Sequence, residues 1–591
     1  MHGLSHIYIE NFRACRRVLL TLGDYTPLVG QNNTGKSTIL DAIKLLLAPK
    51  AVPRAEACDP EQPIIVAACV EGISPELIGL IPAQNHRAAI EPYCVDGNLW
   101  IRIVAATGRP RAEVWEPTGE LDELGVPTVW RPYPTGLPDA VKALLPEALH
   151  VAAMDDVGDD LAKGKAGSTI RGLLDEIMAP VLEAHAEIQH ALQAVRDILG
   201  AEGAQRSPLL AKFDTDASSA LGELFPGLSL GMDMPEVEVK EFFRTGDLYV
   251  TDHVSGERRR FDQMGTGAQR AIQMALIRLL ADMRHGAARG IARRLLLIDE
   301  PELFLHPQAV RTVREALKTL SAGGFQVVLS THSPLMISRD NAPDTVIVHR
   351  AQAGTAVKRP LREAVVEAVE AGPDQARTLF MLGNVADIYF ADKVIVCEGK
   401  TDQRLIPLIY EKVHGRRPEL DHVCLVSLGG ASGIIKGMAV LRAMGIKCAA
   451  IADLDFAFVD ARKGAGALLD KDGGDVTKAK AVLARLQELL GFKLGGNGLP
   501  TNSNPFTAAQ VWAAMAADEY GAIISEEVHE ALLAHDIWIW KQGCIEDVIG
   551  VPDKGEHAIQ AQEERILAFS PEDLDHQLSQ AKCCVDWIVA R

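Results

Sequence analysis

The sequence predicts an α/β protein with two main domains and an insertion, and three observations support this prediction. The 591 residues are too many for one hydrophobic core. A glycine-rich loop, residues 30–38, stands between a strand-like segment and a helical one. Far downstream, two strand-like apolar runs end in acidic residues at Asp299 and Glu398. The carboxyl ends of parallel strands are where open α/β sheets bind ligands.

Composition favours a folded cytoplasmic protein. Hydrophobic residues make up 48% of the chain and charged residues 24%, as in ordinary globular domains. The start, MHGLSHIYIENF, lacks the basic and apolar regions of a secretion signal, and no apolar run is long enough for a membrane span.

The formal net charge of −19 argues against binding nucleic acid through the whole surface. DNA would have to meet metal ions or a local basic patch. For each basic group taken alone, the plainer interpretation, solvated residues near helix ends and turns, is the favoured one. The candidate groups are Arg258, Arg259 and Arg260; Arg284, Arg289, Arg293 and Arg294; and Arg416 with Arg417.

Residues 30–38, GQNNTGKST, fit the phosphate-loop pattern G-x-x-x-x-G-K-[ST]. Strand patterns over residues 6–12 and 25–30 precede the loop, and residues 38–48 have helical spacing. Backbone N–H groups would surround the phosphates, Lys36 would reach the β and γ oxygens, and Ser37 would offer a hydroxyl to Mg²⁺. The predicted ATP-binding residues are Gly30, Asn33, Gly35, Lys36, Ser37 and Thr38.

Two later strands are predicted to complete an ATPase site. The first, in residues 293–307, RRLLLIDEPELFLHP, ends in Asp299, which would hold the Mg²⁺ water shell, and Glu300, which would polarise the attacking water. The second, GFQVVLSTHSP at residues 324–334, places His332 where it could contact the γ-phosphate. The alternatives are a strand that simply ends in an acidic turn and a structural histidine.

A glycine-rich turn, Gly265-Thr266-Gly267, opens a long amphipathic helix just upstream of the Asp299 strand. Helix capping alone would explain the glycines. The order of these segments nevertheless resembles ABC-type ATPases, and the resemblance implies that Gly265 and Gly267 cap a γ-phosphate held by another subunit. Helical spacing in residues 171–200 predicts a short helical insertion for dimer contact. Residues 150–156 are a candidate return strand, and the glutamine-bearing loop of such ATPases has no assigned position.

A second carboxylate cluster follows near residue 398. Residues 392–413 read as a strand, an acidic turn with Glu398, and a helix whose first turn holds Asp402. Residues 424–434 are another strand with a glycine-rich exit, and residues 445–456, GIKCAAIADLDF, end a third strand with Asp453 and Asp455. Two residues apart in an extended segment, these last two should point to the same face. Clustered carboxylates need hard cations, although any one of them could be an ordinary surface acid.

This order of acids is similar to the Toprim fold. The chain has no region for the tyrosine gate of a topoisomerase and no cysteine arrangement of a primase zinc domain. An ABC-type ATPase followed by a Toprim domain resembles the OLD (overcoming lysogenization defect) nucleases over nearly the whole chain, with GQNNTGKST, LLIDEPELFLHP, STHSP, CEGKTD and ADLDF in the family's order.

The resemblance implies a DNA endonuclease with two divalent ions, Mg²⁺ or Mn²⁺ or Ca²⁺, controlled by ATP at a homodimeric or larger head. It implies metal ligands at Glu398, Asp402, Asp453, Asp455 and Glu546, besides Ser37 at the nucleotide, and a cation, Lys541, near the scissile phosphate. A solvent-exposed lysine is the alternative for Lys541. The family is also linked to phage defence and to a helicase partner.

The expected domains are an ATPase part at residues 1–157, a helical insertion at 158–245, a second ATPase part at 246–350, linker helices at 351–386 and a Toprim domain at 387–591. Two rival functions remain open. One is an ATP-gated DNA-binding clamp for repair or signalling whose Toprim domain does not cut. The other is a protein whose ATP site only senses nucleotide.

Overall fold

The computed structural model is mixed α/β, as expected, and describes most of the chain. The described residues are 2–106, 109–117, 119–145, 148–152, 186–199, 204–224, 249–251, 253, 256–284, 293–368, 385–428, 430–464, 466–502, 505–551, 556–570, 576 and 578–591. They form two compact units, Met1–Thr26 with Ser37–Thr331, and Pro27–Lys36 with His332–Arg591. Among the described residues, no helix combines the length and the apolar character needed to cross a bilayer.

The first unit contains a six-stranded antiparallel sheet. Its strands are β1 Gly3–Phe12, β2 Cys15–Thr21, β4 Ile64–Glu71, β5 Leu99–Ala105, β6 Arg111–Trp115 and β7 Trp130–Pro132, in the order β2-β1-β4-β5-β6-β7. Short helices, α2 Pro75–Gly79, α3 Gln84–Ile90 and α4 Leu137–Leu144, connect or follow these strands. Of the sheet, the sequence analysis identified only β1. Strands β4 and β5 do not show the alternation of buried and exposed residues that marks a half-exposed strand, because their apolar residues are buried on both faces.

The same unit also contains three parallel strands, β8 Leu149–Val151, β11 Arg294–Asp299 and β12 Phe325–Thr331. The register pairs Asp299 with Ser330, so both strands deliver polar residues to one edge. The helices are α1 Lys36–Leu47, α5 Ala186–Leu199, α6 Pro208–Leu224, α7 Thr266–Arg284 and α8 Pro307–Ala322, and a hairpin joins β9 Tyr249–Thr251 to β10 Arg258–Arg260.

Strand β3 Tyr25–Val29 enters the second unit at Pro27, and there it runs parallel to β13 Val346–Ala351, which pairs with β14 Gly354–Val357. Helix α9 Leu361–Ala368 follows. The main sheet is entirely parallel, in the order β16-β15-β17-β18, with β15 Lys393–Cys397, β16 Val423–Ser427, β17 Lys447–Ala452 and β18 Ile537–Ile539. Its helices are α10 Lys400–His414, α11 Ile434–Ala443, α12 Gly474–Leu490, α13 Ala508–Ala517, α14 Glu519–Leu533, α15 Ile545–Ile549, α16 Glu556–Ala568 and α17 Ser579–Ala590.

Both faces of this parallel sheet are buried. Val394 and Val396 face one hydrophobic core, whereas Ile395 and Cys397 face another. Alternate residues of a strand point to opposite faces, so helices must cover both sides. The strand therefore reads as a continuous apolar run that ends at Glu398.

Most of the elements predicted around the two sites are confirmed, including β3, α1, α7, β11, β12, β15, β16 and β17. The candidate return strand at residues 150–156 is seen as β8 up to Val151, and its acidic end lies outside the described residues. Within the predicted insertion at 158–245, helices α5 and α6 are seen, while residues 158–185, 200–203 and 225–245 lie outside the described part. Of the predicted linker helices at 351–386, helix α9 covers Leu361–Ala368, whereas residues 354–357 form β14 as the return strand of a hairpin, and residues 369–384 lie outside the described part.

Candidate nucleotide and metal sites

The phosphate loop of the second unit is already closed around its lysine. Lys36 is buried, and its Nζ donates hydrogen bonds to the carbonyl oxygens of Gly30 (3.0 Å) and Gln31 (2.8 Å). In phosphate loops the lysine at this position is the residue that reaches the β and γ oxygens of a nucleotide. Exposed Asn33 has a φ of 62°, and Thr38 is buried in the first turn of α1.

Two glycines of the loop are required by close approach as well as by conformation. Gly35 has a φ of +103°, and a β carbon there would collide with the Thr355 side chain. Thr355 Oγ1 in turn donates a hydrogen bond to the Thr34 carbonyl at 2.8 Å. Gly30 has a φ of +150°, and a β carbon there would collide with the Val348 carbonyl. The hairpin of β13 and β14 thus supports the loop, which the sequence did not indicate.

In the first unit, Asp299 lies at the end of β11 with Ser37 beside it. Ser37 Oγ donates a hydrogen bond to Asp299 Oδ1 at 3.0 Å, and the hydroxyl of Ser330 contacts the same oxygen. In phosphate-loop NTPases a serine or threonine hydroxyl and an aspartate hold the Mg²⁺ of the nucleotide. Glu300 follows with a φ of 44°, a conformation that few residues with a side chain adopt, and its N–H donates to the Ser330 carbonyl at 3.1 Å.

Arg270 is a buried residue of this site that the sequence analysis missed. It lies on α7, and its guanidinium donates hydrogen bonds to the carbonyl oxygens of Asp299 (2.5 Å), Glu300 (2.9 Å) and Ala152 (2.9 Å). Burial lowers the pKa of Arg270 to about 10, and the nearby carboxylates oppose that shift. The arginine therefore stays charged at neutral pH. The sequence carries no clear signal for this role, because Arg270 lies among other polar residues of the same helix.

The predicted glycine turn does begin a long helix, since Gly265 precedes α7 and accepts a hydrogen bond from Gln269 N at 3.0 Å. A β carbon at Gly265 would meet no atom within 4 Å, and one at Gly267 would touch Phe304 at 3.5 Å. The turn is therefore open on one side. His332 directly follows β12, belongs to the second unit and is half-buried.

Three carboxylates of the second unit come together at the carboxyl ends of β15 and β17. Glu398, Asp453 and Asp455 each offer an oxygen, and these oxygens all lie within 4.8 Å of one another. Glu398 Oε2 accepts a hydrogen bond from Asp453 N at 2.9 Å, and Glu398 N donates to the Ile451 carbonyl at 3.0 Å. These bonds to the neighbouring strand fix the glutamate over the end of β17.

Asp453 and Asp455 converge for a different reason from the one expected. Strand β17 ends at Ala452, and Asp455 lies in a 3₁₀ turn, Leu454–Ala457, rather than in an extended segment. The prediction that strand alternation aligns the two carboxylates was therefore wrong. The turn is held from outside, because Leu454 N donates to the Gly543 carbonyl at 2.7 Å.

Asp402 lies in the first turn of α10, as expected, but its oxygens already have partners. Its Oδ1 accepts a hydrogen bond from Trp540 Nε1 at 2.9 Å, and its Oδ2 one from Gly399 N at 3.4 Å. The side chain is buried. The group of mutually close oxygens includes Glu398, Asp453 and Asp455 but neither Asp402 nor Glu546. Asp402 thus caps a helix and anchors a tryptophan beside the cluster.

Glu546 is buried in the first turn of α15, in the predicted strand, turn and helix arrangement. Two residues earlier, the Cys544 thiol donates a hydrogen bond to Asp547 Oδ2 at 3.0 Å. Burial raises the pKa of this thiol, and the negative charges of Asp453, Glu546 and Asp547 raise it further. Lys541 Nζ, by contrast, forms an ion pair with Glu526 at 2.7 Å.

Comparisons with known proteins agree with this order of sites. A family model described as "Overcoming lysogenization defect protein-like, TOPRIM domain" matches residues 389–455. An AAA ATPase domain model matches residues 3–73, and an AAA domain model whose description names the AbiEii toxin of a Type IV TA system matches residues 136–338.

Two curated relatives, one from a phage and one from a bacterium, match most of the chain. The chain is 30% identical over 568 residues to the Old nuclease of Escherichia phage P2, and the aligned region covers 93% of each chain. The chain is also 24% identical over 482 residues to the OLD nuclease of Thermus scotoductus, and this aligned region covers 78% of this chain and 83% of that one. Among solved structures, an SMC head domain from Thermotoga maritima matches 60% of this chain and 98% of its own, with 13% identity and a TM-score of 0.28.

Proposed function

The chain belongs to the OLD nuclease family, and from this membership we propose that it is an ATP-regulated, divalent-metal-dependent DNA endonuclease. The observation that carries the proposal is the convergence of Glu398, Asp453 and Asp455 at one edge of a parallel sheet. Their mutual repulsion costs stability unless a cation compensates it.

The donor set fits hard divalent ions. All three groups are carboxylates, and oxygens within 4.8 Å of one another need only small side-chain rotations to reach a common ion. In octahedral coordination at 2.0–2.1 Å, neighbouring ligand oxygens are about 3 Å apart and opposite ones about 4 Å. Mg²⁺, Mn²⁺ and Ca²⁺ all accept such oxygens. We assign Glu398, Asp453 and Asp455 as primary ligands, with Glu546 and Asp402 completing a two-ion site.

Bound divalent ions supply charge stabilisation for attack of water on a phosphodiester and for departure of the 3′ oxygen. The protein's own groups hold and orient that site. Glu398 is fixed by the Asp453 N–H, Asp402 by Trp540, and the turn of Asp455 by the Gly543 carbonyl. We assign Lys541, on the segment that follows β18, as the cation that meets the scissile phosphate once Glu526 releases it.

ATP is proposed to control this nuclease through the other set of residues. Lys36 and its loop would bind the phosphates, Ser37 and Asp299 would hold Mg²⁺, and Glu300 and His332 would act on the γ-phosphate. Gly265 and Gly267 would cap the nucleotide of a second subunit in a homodimer or larger homo-oligomer. A cytoplasmic role in phage defence or foreign-DNA processing, with a helicase partner in some settings, fits this family.

Plasmid cleavage tests the proposal directly. Asp453→Ala should reduce Mg²⁺- or Mn²⁺-dependent cleavage of supercoiled plasmid by more than about 100-fold, since even residues that only support metal ligands cost 10–100-fold. ATP hydrolysis should stay within about twofold of wild type, because Asp453 contributes nothing to the phosphate loop. Asp472→Ala, an exposed aspartate of the same unit, is the matched control and should retain both activities.

The rival function, an ATP-gated clamp that holds DNA without cutting it, is favoured by no specific contact but is tested in the same gel. It predicts nucleotide-dependent retention of plasmid and no nicked or linear product at any metal concentration. Cleavage by Asp453→Ala at the wild-type rate would refute the assigned site. If cleavage needs metal but does not change with ATP, the assignment as a nuclease stands and the proposed control by ATP is wrong.

A further inference from the structure

A second group of metal-ligand types lies in the first unit, on the antiparallel sheet. His6 on β1 and Cys69 on β4 are direct partners in the strand register, and Trp100 on β5 is the partner of Cys69 on the other side. Glu71 is two residues beyond Cys69, so it lies on the same face of β4. One ligand atom each from His6, Cys69 and Glu71 lie within 4.8 Å of one another.

An irregularity in the sheet arranges this group. The register of β1 against β4 shifts between Leu4 and His6, so Ser5 is an extra residue at that point. Such bulges redirect neighbouring side chains. Ser5 Oγ lies 3.0 Å from His6 Nδ1 and donates to the Cys69 carbonyl at 3.3 Å. The same histidine nitrogen lies 3.6 Å from Glu71 Oε1.

The side chains are also partly held in place before any ion arrives. The His6 ring stacks on Trp100, with ring centroids 6.2 Å apart and an interplanar angle of 30°. Cys69 is buried against Tyr8 and Trp100, whereas the side chains of His6 and Glu71 are 36% and 50% exposed. The thiol thus lies on the buried side of the group, and the imidazole and the carboxylate lie on the solvent side, where an ion can enter.

The donor chemistry differs from that of the Glu398 cluster. Imidazole nitrogen, thiolate sulfur and carboxylate oxygen are the three side-chain donors of zinc sites, while Mg²⁺ avoids sulfur and nitrogen. Ligands at 2.0–2.3 Å from a tetrahedral ion are roughly 3.3–3.8 Å apart, so the observed group needs only slight contraction. We propose that His6, Cys69 and Glu71 bind a transition-metal ion, Zn²⁺ foremost, with water as the fourth ligand.

Binding would release the Cys69 proton to solvent, because the thiolate is the form that coordinates metal. Burial raises the pKa of the Cys69 thiol to about 11. An ion at this position would join β1 to β4 near their ends. This site is separate in sequence and in chemistry from the proposed nuclease site, so either can exist without the other.

Titration of the reduced, chelator-treated full chain with Zn²⁺ and Co²⁺, in excess Mg²⁺, tests the proposal. Cobalt bound through a thiolate gives near-ultraviolet charge-transfer absorption, which an oxygen-only site does not give. We expect this band in the wild type, its loss in Cys69→Ser, and at least tenfold weaker Zn²⁺ binding by calorimetry in His6→Ala and Glu71→Gln.

Cys94→Ser is the matched control, since burial also raises the pKa of the Cys94 thiol to about 11 and the residue lies in the same unit. It should retain both the band and the affinity. The proposal fails if the wild type shows no thiolate band, or if the band survives Cys69→Ser. If Cys69→Ser does not fold, His6→Ala decides, because its partly exposed ring can be removed without opening the core; unchanged Zn²⁺ affinity in that variant would overturn the site.

Discussion

At the scale of single residues, Asp402 shows how the fold holds a carboxylate that we propose as a metal ligand. It is buried, and both of its oxygens accept hydrogen bonds, from Trp540 Nε1 and from Gly399 N. A buried carboxylate oxygen that loses its hydrogen-bond donor destabilises the folded state, because it is left without a partner. The tryptophan therefore stabilises a charge next to Glu398 and sets the position of the first turn of α10.

Replacing Trp540 with Phe should lower the free energy of unfolding by about 2–3 kcal/mol, because the change leaves a buried carboxylate oxygen without its donor. Chemical denaturation of the variant measures this loss. Trp587→Phe is the matched control: its Nε1 is buried and makes no hydrogen bond within the described chain, so the same substitution there removes no bond. Equal losses in the two variants would mean that ring packing, and not the bond to Asp402, accounts for the effect.

A residue-scale comparison with the sequence shows where inference from pattern ends. The strand ends at Asp299, Glu398 and Asp453 were predictable, because a continuous apolar run followed by acids has few other interpretations. Arg270 and Thr355 were not, since each acts through a backbone carbonyl far away in sequence. A side chain that donates to a backbone carbonyl can pair with a residue of any type, so the sequence does not reveal its partner.

At the scale of elements, the segment between β18 and α15 organises the carboxylate site. Its Trp540 N donates to the Ala452 carbonyl at 3.0 Å, and its Gly543 carbonyl accepts from Leu454 N. The segment thus extends the ladder between β17 and β18 past the strand ends and supports the turn that carries Asp455. The sequence predicted the strand, the turn and the helix, but not that the turn would be tied to residues ninety positions upstream.

Gly543→Ala should disrupt this arrangement. Gly543 has a φ of +125°, and an added β carbon would contact Asp547 Oδ2 at 2.5 Å and the Ala513 backbone at 3.3 Å. We expect a loss of about 2–4 kcal/mol in unfolding free energy, from backbone strain of 1–3 kcal/mol plus the clash. Metal-dependent cleavage should fall even at temperatures where the variant is folded.

The control for this variant is Gly445→Ala, at a φ of +75° with open space around the added carbon. It carries the conformational cost alone, about 1 kcal/mol. Circular dichroism melts and plasmid cleavage, measured on both variants, separate strain from displacement of the turn. Normal cleavage by folded Gly543→Ala would show that the turn of Asp455 does not depend on this contact.

At the scale of the whole molecule, a net charge of −19 restricts where DNA can bind. Of the basic groups suggested by the sequence, Arg293 is excluded, because it is buried, pairs with Asp24 and donates to the His2 carbonyl at 2.7 Å. Arg416 and Arg417 pair with Asp421 and Glu411. The hairpin of β9 and β10 exposes three consecutive arginines, of which Arg259 pairs with Glu257 and Arg258 lies 4.0 Å above the Tyr249 ring.

This hairpin gives a prediction about salt dependence. Each phosphate contact contributes about 0.9 to the slope of log affinity against log salt, so replacing Arg258, Arg259 and Arg260 by Gln should reduce that slope by about 2–3 and weaken plasmid binding uniformly across sequences. Fluorescence anisotropy in Ca²⁺ or EDTA, over a range of salt concentrations, measures the slope without strand scission. The double variant Arg416→Gln/Arg417→Gln removes two arginines with acidic partners and should change it little. If the triple variant keeps the wild-type slope, DNA binds this acidic protein at another surface. Divalent ions that bridge the carboxylates and the phosphates then become the main source of attraction. In that case Glu398→Gln, and not the triple variant, should change the slope.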